Sequence, residues 1–235
     1  NRNKNFRRER LYKIIYSMIE VLKKYFPNLS EQQLAAYEKL IPVYESWNSK
    51  INVISRKDID NLLEHHILHS LAIAQTIDFP DNAKVLDVGT GGGFPGVPLA
   101  IMFPQADFTL IDSIGKKLLV ADAAIKSAEL KNAKTIHRNA IEEKDKYNFI
   151  VSRAVMNAAV LLKMILKNCS QQSVGSQQNA LIVLKGGDLS EELMDLERLK
   201  HSDKRLKKCV IKTFKISDFF QEDFFKEKYV VQVLF

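Results

Sequence analysis

Val85-Leu86-Asp87-Val88-Gly89-Thr90-Gly91-Gly92-Gly93-Phe94-Pro95-Gly96 joins a short apolar run to an acid and a glycine-rich turn, and leads into a second apolar segment from Pro98. This pattern is expected to form a buried parallel strand, a tight loop and a helix start. Such a loop brings bare backbone N–H groups up to a ligand, with the positive end of a helix behind them. Glycine suits it because a Cβ would obstruct both the positive φ angles and the close approach. The alternative is a glycine-rich turn that holds no ligand.

Two cofactor classes use a turn of this kind. Dinucleotide sites read Gly-x-Gly-x-x-Gly, but counting from Gly89 and Gly91 places Phe94 at the third glycine. Asp87 would also repel a pyrophosphate. S-adenosylmethionine carries an ammonium and a sulfonium and no phosphate, so an acid at the strand end favours it. Asp87, Gly89, Gly91 and Gly93 together therefore predict a methyl donor. A second short apolar run, Asp107–Asp112, ends in an acid about twenty residues on, where a carboxylate can accept both hydroxyls of a ribose. Asp112 fits either cofactor, and capping the helix that follows is compatible with that role.

The flanking sequence alternates strands with helices. Strands are expected at Lys84–Val88, Asp107–Asp112, Lys134–Arg138, Phe149–Ser152, Ala180–Leu184, Val210–Phe214 and Tyr229–Phe235. Helices fill the gaps, most clearly over Lys116–Leu130 and Asn157–Asn168, and the last two strands should form an antiparallel hairpin. The fold class this predicts is α/β, a Rossmann-like class I methyltransferase with a seven-stranded, mostly parallel sheet whose last strand is antiparallel. Before it, residues 1–80 read as a basic, N-terminal helical extension and 81–235 as the methyltransferase domain. Leu11, Ile14, Ile15, Met18, Ile19 and Leu22 recur at helical spacing. A second helix is expected from Ser30 and Glu31 towards Trp47, with Pro42 as a kink or break, and a third over Lys57–Thr76.

Composition narrows the classes. In 235 residues, 46% hydrophobic, a sizeable core can form. No run of about eighteen apolar residues exists, so no membrane span is expected. The basic N-terminus lacks a signal core, and Cys169 and Cys209 are unclustered, which suits a reducing cytoplasm. The net charge of +7 is uneven. Arg2, Lys4, Arg7, Arg8, Arg10, Lys13, Lys23 and Lys24 face only Glu9 and Glu20 in the first 24 residues, and Lys204, Arg205, Lys207, Lys208, Lys212 and Lys215 cluster near the C-terminus. That is the footprint of a nucleic-acid partner, or else a solvated helix face.

Ligands of such sheets sit beyond the carboxyl ends of the strands. This selects Asn139, Ala140 and Ile141 after the third strand, Ser152, Arg153 and Ala154 after the fourth, and Lys185, Gly186 and Gly187 after the fifth. Arg153 would meet a cofactor carboxylate or a substrate phosphate, if it does not pair with a neighbouring acid. The Asn/Asp-Pro-Pro-aromatic turn used on exocyclic amines is missing, and neither cysteine sits where C5 methylation of a pyrimidine would need a nucleophile. Acceptors with a free lone pair remain, guanine N7 among them. Catalysis would then rest on positioning, with Arg153 orienting. No residue is assigned a proton-transfer role.

Over Tyr37 to Lys185 the chain resembles the bacterial guanine-N7 methyltransferases of small-subunit (16S) ribosomal RNA, the glucose-inhibited division protein B family. The resemblance is carried by Trp47-Asn48, Ile51-Asn52-Val53-Ile54-Ser55, His66-Ile67-Leu68-His69-Ser70-Leu71 and Asp87 to Pro98. It continues in Leu110 to Lys117, Ile150-Val151-Ser152-Arg153-Ala154 and Leu184-Lys185-Gly186. It implies S-adenosylmethionine contacts at Gly89, Phe94, Ala140, Ile141 and Arg153, and 16S ribosomal RNA or the small subunit as partner. Arg153, Lys185, Lys116 and His66 are the candidates for RNA contact. His65 and His69 replace the family's usual Arg and Asp, and Glu142 falls one place after the usual acid. No metal is expected, His65 and His69 lacking a third ligand, and the protein is expected to be a cytoplasmic monomer. The rival readings are a small-molecule methyltransferase on the same fold and a non-catalytic, cofactor-binding RNA module.

Overall fold

The computed structural model describes residues 2–48, 50–51, 53–55, 58–153 and 155–235, with side chains from residue 9 onward. Asn52, Lys57, Ala154 and the side chains of Arg2, Lys4, Arg7 and Arg8 lie outside the described residues.

Helices α1 (Arg2–Tyr25) and α2 (Glu31–Asn48) come first. α2 is continuous through Pro42, so of the expected kink or break there is no break. Its inner face, Leu34, Tyr37, Leu40, Ile41 and Tyr44, is buried, and this packing outweighs the hydrogen bond that proline cannot donate. The expected third helix is not uniform. A 3-10 turn (Ile59–Asn61) leads into a π-helical stretch (Leu62–Leu68), one α-helical turn, α3 (His69–Leu71), and a last 3-10 turn (Ile73–Gln75). Over this stretch both His65 and His66 reach Asp58, and such departures often mark functional sites.

The alternating part follows: β1 (Lys84–Val88), α4 (Gly96–Met102), β2 (Asp107–Asp112), α5 (Gly115–Ser127), β3 (Ala133–His137), β4 (Phe149–Arg153), α6 (Ala158–Ile165), β5 (Ala180–Gly186), α7 (Ser190–Ser202), β6 (Val210–Lys215) and β7 (Lys228–Leu234). The strands form one seven-stranded sheet ordered β3-β2-β1-β4-β5-β7-β6. β7 alone runs against the rest, pairing antiparallel with both β5 and β6. The expected seven strands with a reversed last one are therefore present, within two residues at each end.

From β1 the chain winds outward through β2 to β3, then returns to β4 on the other side of β1. The crevice above β1 and β4 is thus the switch point where open α/β sheets bind ligands. Both faces of the sheet are covered. One core joins Met18, Leu22, Tyr37 and Tyr44 of the first helices to Val85, Leu99, Phe108 and Phe149. The other packs Leu86, Ile150 and Leu181 against α6 and α7. No helix among the described residues is long and apolar enough to cross a membrane.

Candidate active site

The loop after β1 is shaped by Asp87. Its carboxylate is fully buried, and its Oδ2 accepts from Thr90 Oγ1 at 2.6 Å and from the Gly96 N–H at 2.8 Å. The acid thus ties both ends of the glycine turn to β1. Its Oδ1 is buried with no hydrogen-bond donor among the described residues. Burial pushes the Asp87 carboxyl up to about 7, against the opposing pull of Thr90, Gly96 and Arg153. Gly89 adopts φ +70°, and a Cβ there would sit 2.6 Å from Val155 Cγ2. Only a residue without one leaves this strand end open.

Asp112 closes the turn from the neighbouring strand. Its Oδ2 accepts from Gly91 N–H at 2.9 Å and its Oδ1 from Ile114 N–H at 2.8 Å. Each carboxylate oxygen has a further lone pair for a ligand hydroxyl. From behind, Tyr44 donates to the Gly92 carbonyl at 2.8 Å and Tyr37 to the Pro98 carbonyl at 2.9 Å. Helix α2 therefore braces the loop and the start of α4 from outside the α/β unit.

Over the strand ends lies an open cleft of about 510 Å³, lined by Gly89, Asp112, Ala140, Ile141 and Arg153 together with Lys117 and Met164. Its volume suits a small-molecule or cofactor site. Ile114 and Ile141 are exposed on its rim, an apolar edge that fits a purine ring. Asp87 and Phe94, by contrast, stand behind the loop at 0% and 3% exposure, rather than on the cleft wall. Gly91 meets the site through its N–H on Asp112. Lys117 and Arg138 escaped the sequence reading. Arg138 stands just past β3 and obeys the strand-end rule, while Lys117 follows Lys116 on α5 with no separate signal. Lys116 itself is exposed.

Arg153 ends β4 and is held by a network that sequence did not indicate. Its Nη2 donates to His66 Nδ1 at 3.1 Å, its Nη1 to the His65 carbonyl at 3.3 Å, and its guanidinium lies 5.1 Å from the centre of the Phe94 ring. Because arginine only donates, His66 Nδ1 must be the acceptor, and its Nε2–H donates to Asp58 Oδ2 at 2.7 Å. Asp58 Oδ1 takes the second histidine, His65, at 2.5 Å. Burial and the nearby Arg153 charge lower the His66 pKa to about 4, so its ring is neutral. Burial pulls Arg153 down to about 10, which leaves it a cation near neutral pH. Burial raises the Asp58 carboxyl, but hydrogen bonds from His66, His65 and Asn61 outweigh it and hold the group below the usual range.

His66 is buried between Asp58 and Arg153, rather than open to RNA. Lys185 is also turned inward: its Nζ meets the Met156 carbonyl and Glu192, each at 2.5 Å. His65 stacks on Phe224, with ring centres 3.8 Å apart. His69 is buried with Nε2 unpartnered among the described residues. No group of three or more His, Cys, Asp or Glu among the described residues is placed to hold a metal.

This fold and glycine-turn site define a Rossmann-like methyltransferase. Among solved structures, the precorrin-6y C5,15-methyltransferase of Geobacter metallireducens superposes with a TM-score of 0.53 at 6% identity, over 79% of this chain and 92% of that one. The likeness is one of fold. The family model for GidB, rRNA small subunit methyltransferase G, matches residues 30–218. The ribosomal RNA small subunit methyltransferase G of Phocaeicola vulgatus is 51% identical over 92% of this chain and 98% of its own length. That of Bacteroides thetaiotaomicron is 50% identical over 91% and 98%. The chain belongs to the rRNA small subunit methyltransferase G family, whose members are S-adenosylmethionine-dependent methyltransferases acting on rRNA.

Proposed function

We propose that the chain methylates N7 of one guanine in the 16S RNA of the small ribosomal subunit, acting in the cytoplasm as a monomer with S-adenosylmethionine in the cleft above β1. The observation that carries this reading is the convergence of Gly89, Asp112, Ala140, Ile141 and Arg153 on one cleft, without a dinucleotide glycine pattern. When bound, the cofactor supplies an electrophilic methyl group on its sulfonium. In this reading Asp112 accepts from the ribose hydroxyls, and Ile114 and Ile141 flank the adenine. Guanine N7 already has a free lone pair and needs no base to deprotonate it. The protein's task is alignment, and Arg153 serves it as a fixed cation that orients an anionic group of cofactor or RNA.

The test incubates the protein with methyl-labelled S-adenosylmethionine and naked rRNA, assembly intermediates or mature small subunits, and locates label by mass spectrometry. One methylguanosine in 16S RNA is expected. Label in a small acceptor, or in none of the RNA samples, overturns the reading.

A further inference from the structure

The cofactor cleft occupies one end of the sheet. At the opposite end, where β1, β2 and β3 begin, lies a second open hollow of about 510 Å³. Its walls carry Lys84, Lys131, Lys134 and Lys146, with Asp107 and Asp145 as its acids. All four lysines are exposed. Lys146 donates to the Lys167 carbonyl, whereas Lys84, Lys131 and Lys134 form no ion pair among the described residues. Four lysines against two acids leave the concavity net positive, a field that favours an anion.

We propose that this hollow binds backbone phosphates of the RNA substrate, at a second contact remote from the methylated base. The proposal rests on the rRNA reading above and adds to it the kind of RNA required. The five residues of β1 separate the hollow from the cleft by roughly 17 Å. An RNA that touches both is long or folded. A short oligonucleotide around the target guanine cannot reach the lysines.

The exposed pair Lys131→Ala/Lys134→Ala tests this, with thermal unfolding to show that the fold is kept. Methylation is measured on full-length 16S RNA and on a short guanine-containing oligonucleotide over a range of salt. With the long RNA, KM should rise about tenfold at unchanged kcat, and the slope of log affinity against log salt should flatten by about 1.5 for two lost phosphate contacts. The oligonucleotide should be methylated by variant and wild type alike. Lys163→Ala/Lys226→Ala, exposed and outside both basic runs and both hollows, is the comparison. An equal effect there assigns the result to overall charge and overturns the proposal. So does an unchanged KM and slope in the Lys131/Lys134 variant, including the case in which inorganic phosphate binds the hollow while methylation is indifferent. A loss on the short oligonucleotide too would overturn the remote placement. A wild-type enzyme with no salt dependence on rRNA would instead overturn the RNA reading itself.

Discussion

Arg153 lines the cleft, and its position is set by residues far away in sequence. A guanidinium at the end of β4 could be expected from the strand-end rule alone. That His66 and Asp58 would fix its direction could not, because they are 87 and 95 residues away and the contact exists only once the helical segment folds over the sheet. Arg153→Ala is expected to weaken cofactor binding, read by calorimetry, or kcat/KM by about ten- to hundredfold, the value of one or two charge-assisted hydrogen bonds. Arg153→Lys should recover little of this, since a single ammonium cannot reproduce the fork that spans the His66 nitrogen and the His65 carbonyl. Wild-type activity in both variants would remove Arg153 from the site.

The decisive element is the β1–loop–α4 unit. Its strand was legible because a strand buried on both faces reads as an unbroken apolar run. The role of its acid was not. The sequence pairs Asp87 with the positive cofactor; the fold also commits its Oδ2 to Thr90 Oγ1 and the Gly96 N–H within the loop. Gly96 sits against this carboxylate: an added Cβ would come 2.7 Å from both Asp87 Oδ2 and Leu110 Cγ. Gly96→Ala should therefore lower stability by about 1–3 kcal/mol through overpacking, measured by denaturant unfolding, and weaken cofactor binding with it. The helix over 57–76 was harder to read. Apolar periodicity marks it as helical but cannot distinguish π from α winding, which here accompanies the packing of His65 and His66 around Asp58 and Phe224.

Over the whole molecule, two buried groups oppose each other in pH. Asp87 has a native pKa raised to about 7, so the folded state keeps a proton that the unfolded chain has lost. Its contribution is complete below the ordinary carboxylate range and disappears as pH rises through about 7. His66 is lowered to about 4, so its contribution is present above the ordinary imidazole value and is lost as pH falls towards 4. Asp87→Asn leaves the histidine alone. Between pH 4 and 7 the stability of that variant relative to wild type should climb by about 1.4 kcal/mol per pH unit, one proton's linkage. Chemical denaturation at several pH values measures it, and a constant difference would show that Asp87 titrates normally.

The alternating order of strands and helices, the reversed final strand, the glycine turn and the acid ending β2 were all written in local sequence, because each depends on side-chain pattern within a few residues. So was the strand-end rule that found Ala140, Ile141 and Arg153. Folding settled the rest. It placed Tyr37 and Tyr44 behind the glycine loop and turned His66 and Lys185 inward. It also gathered four dispersed lysines around the far end of the sheet. These outcomes rest on contacts between segments tens of residues apart, and packing, burial and charge decide them only when both partners are in place.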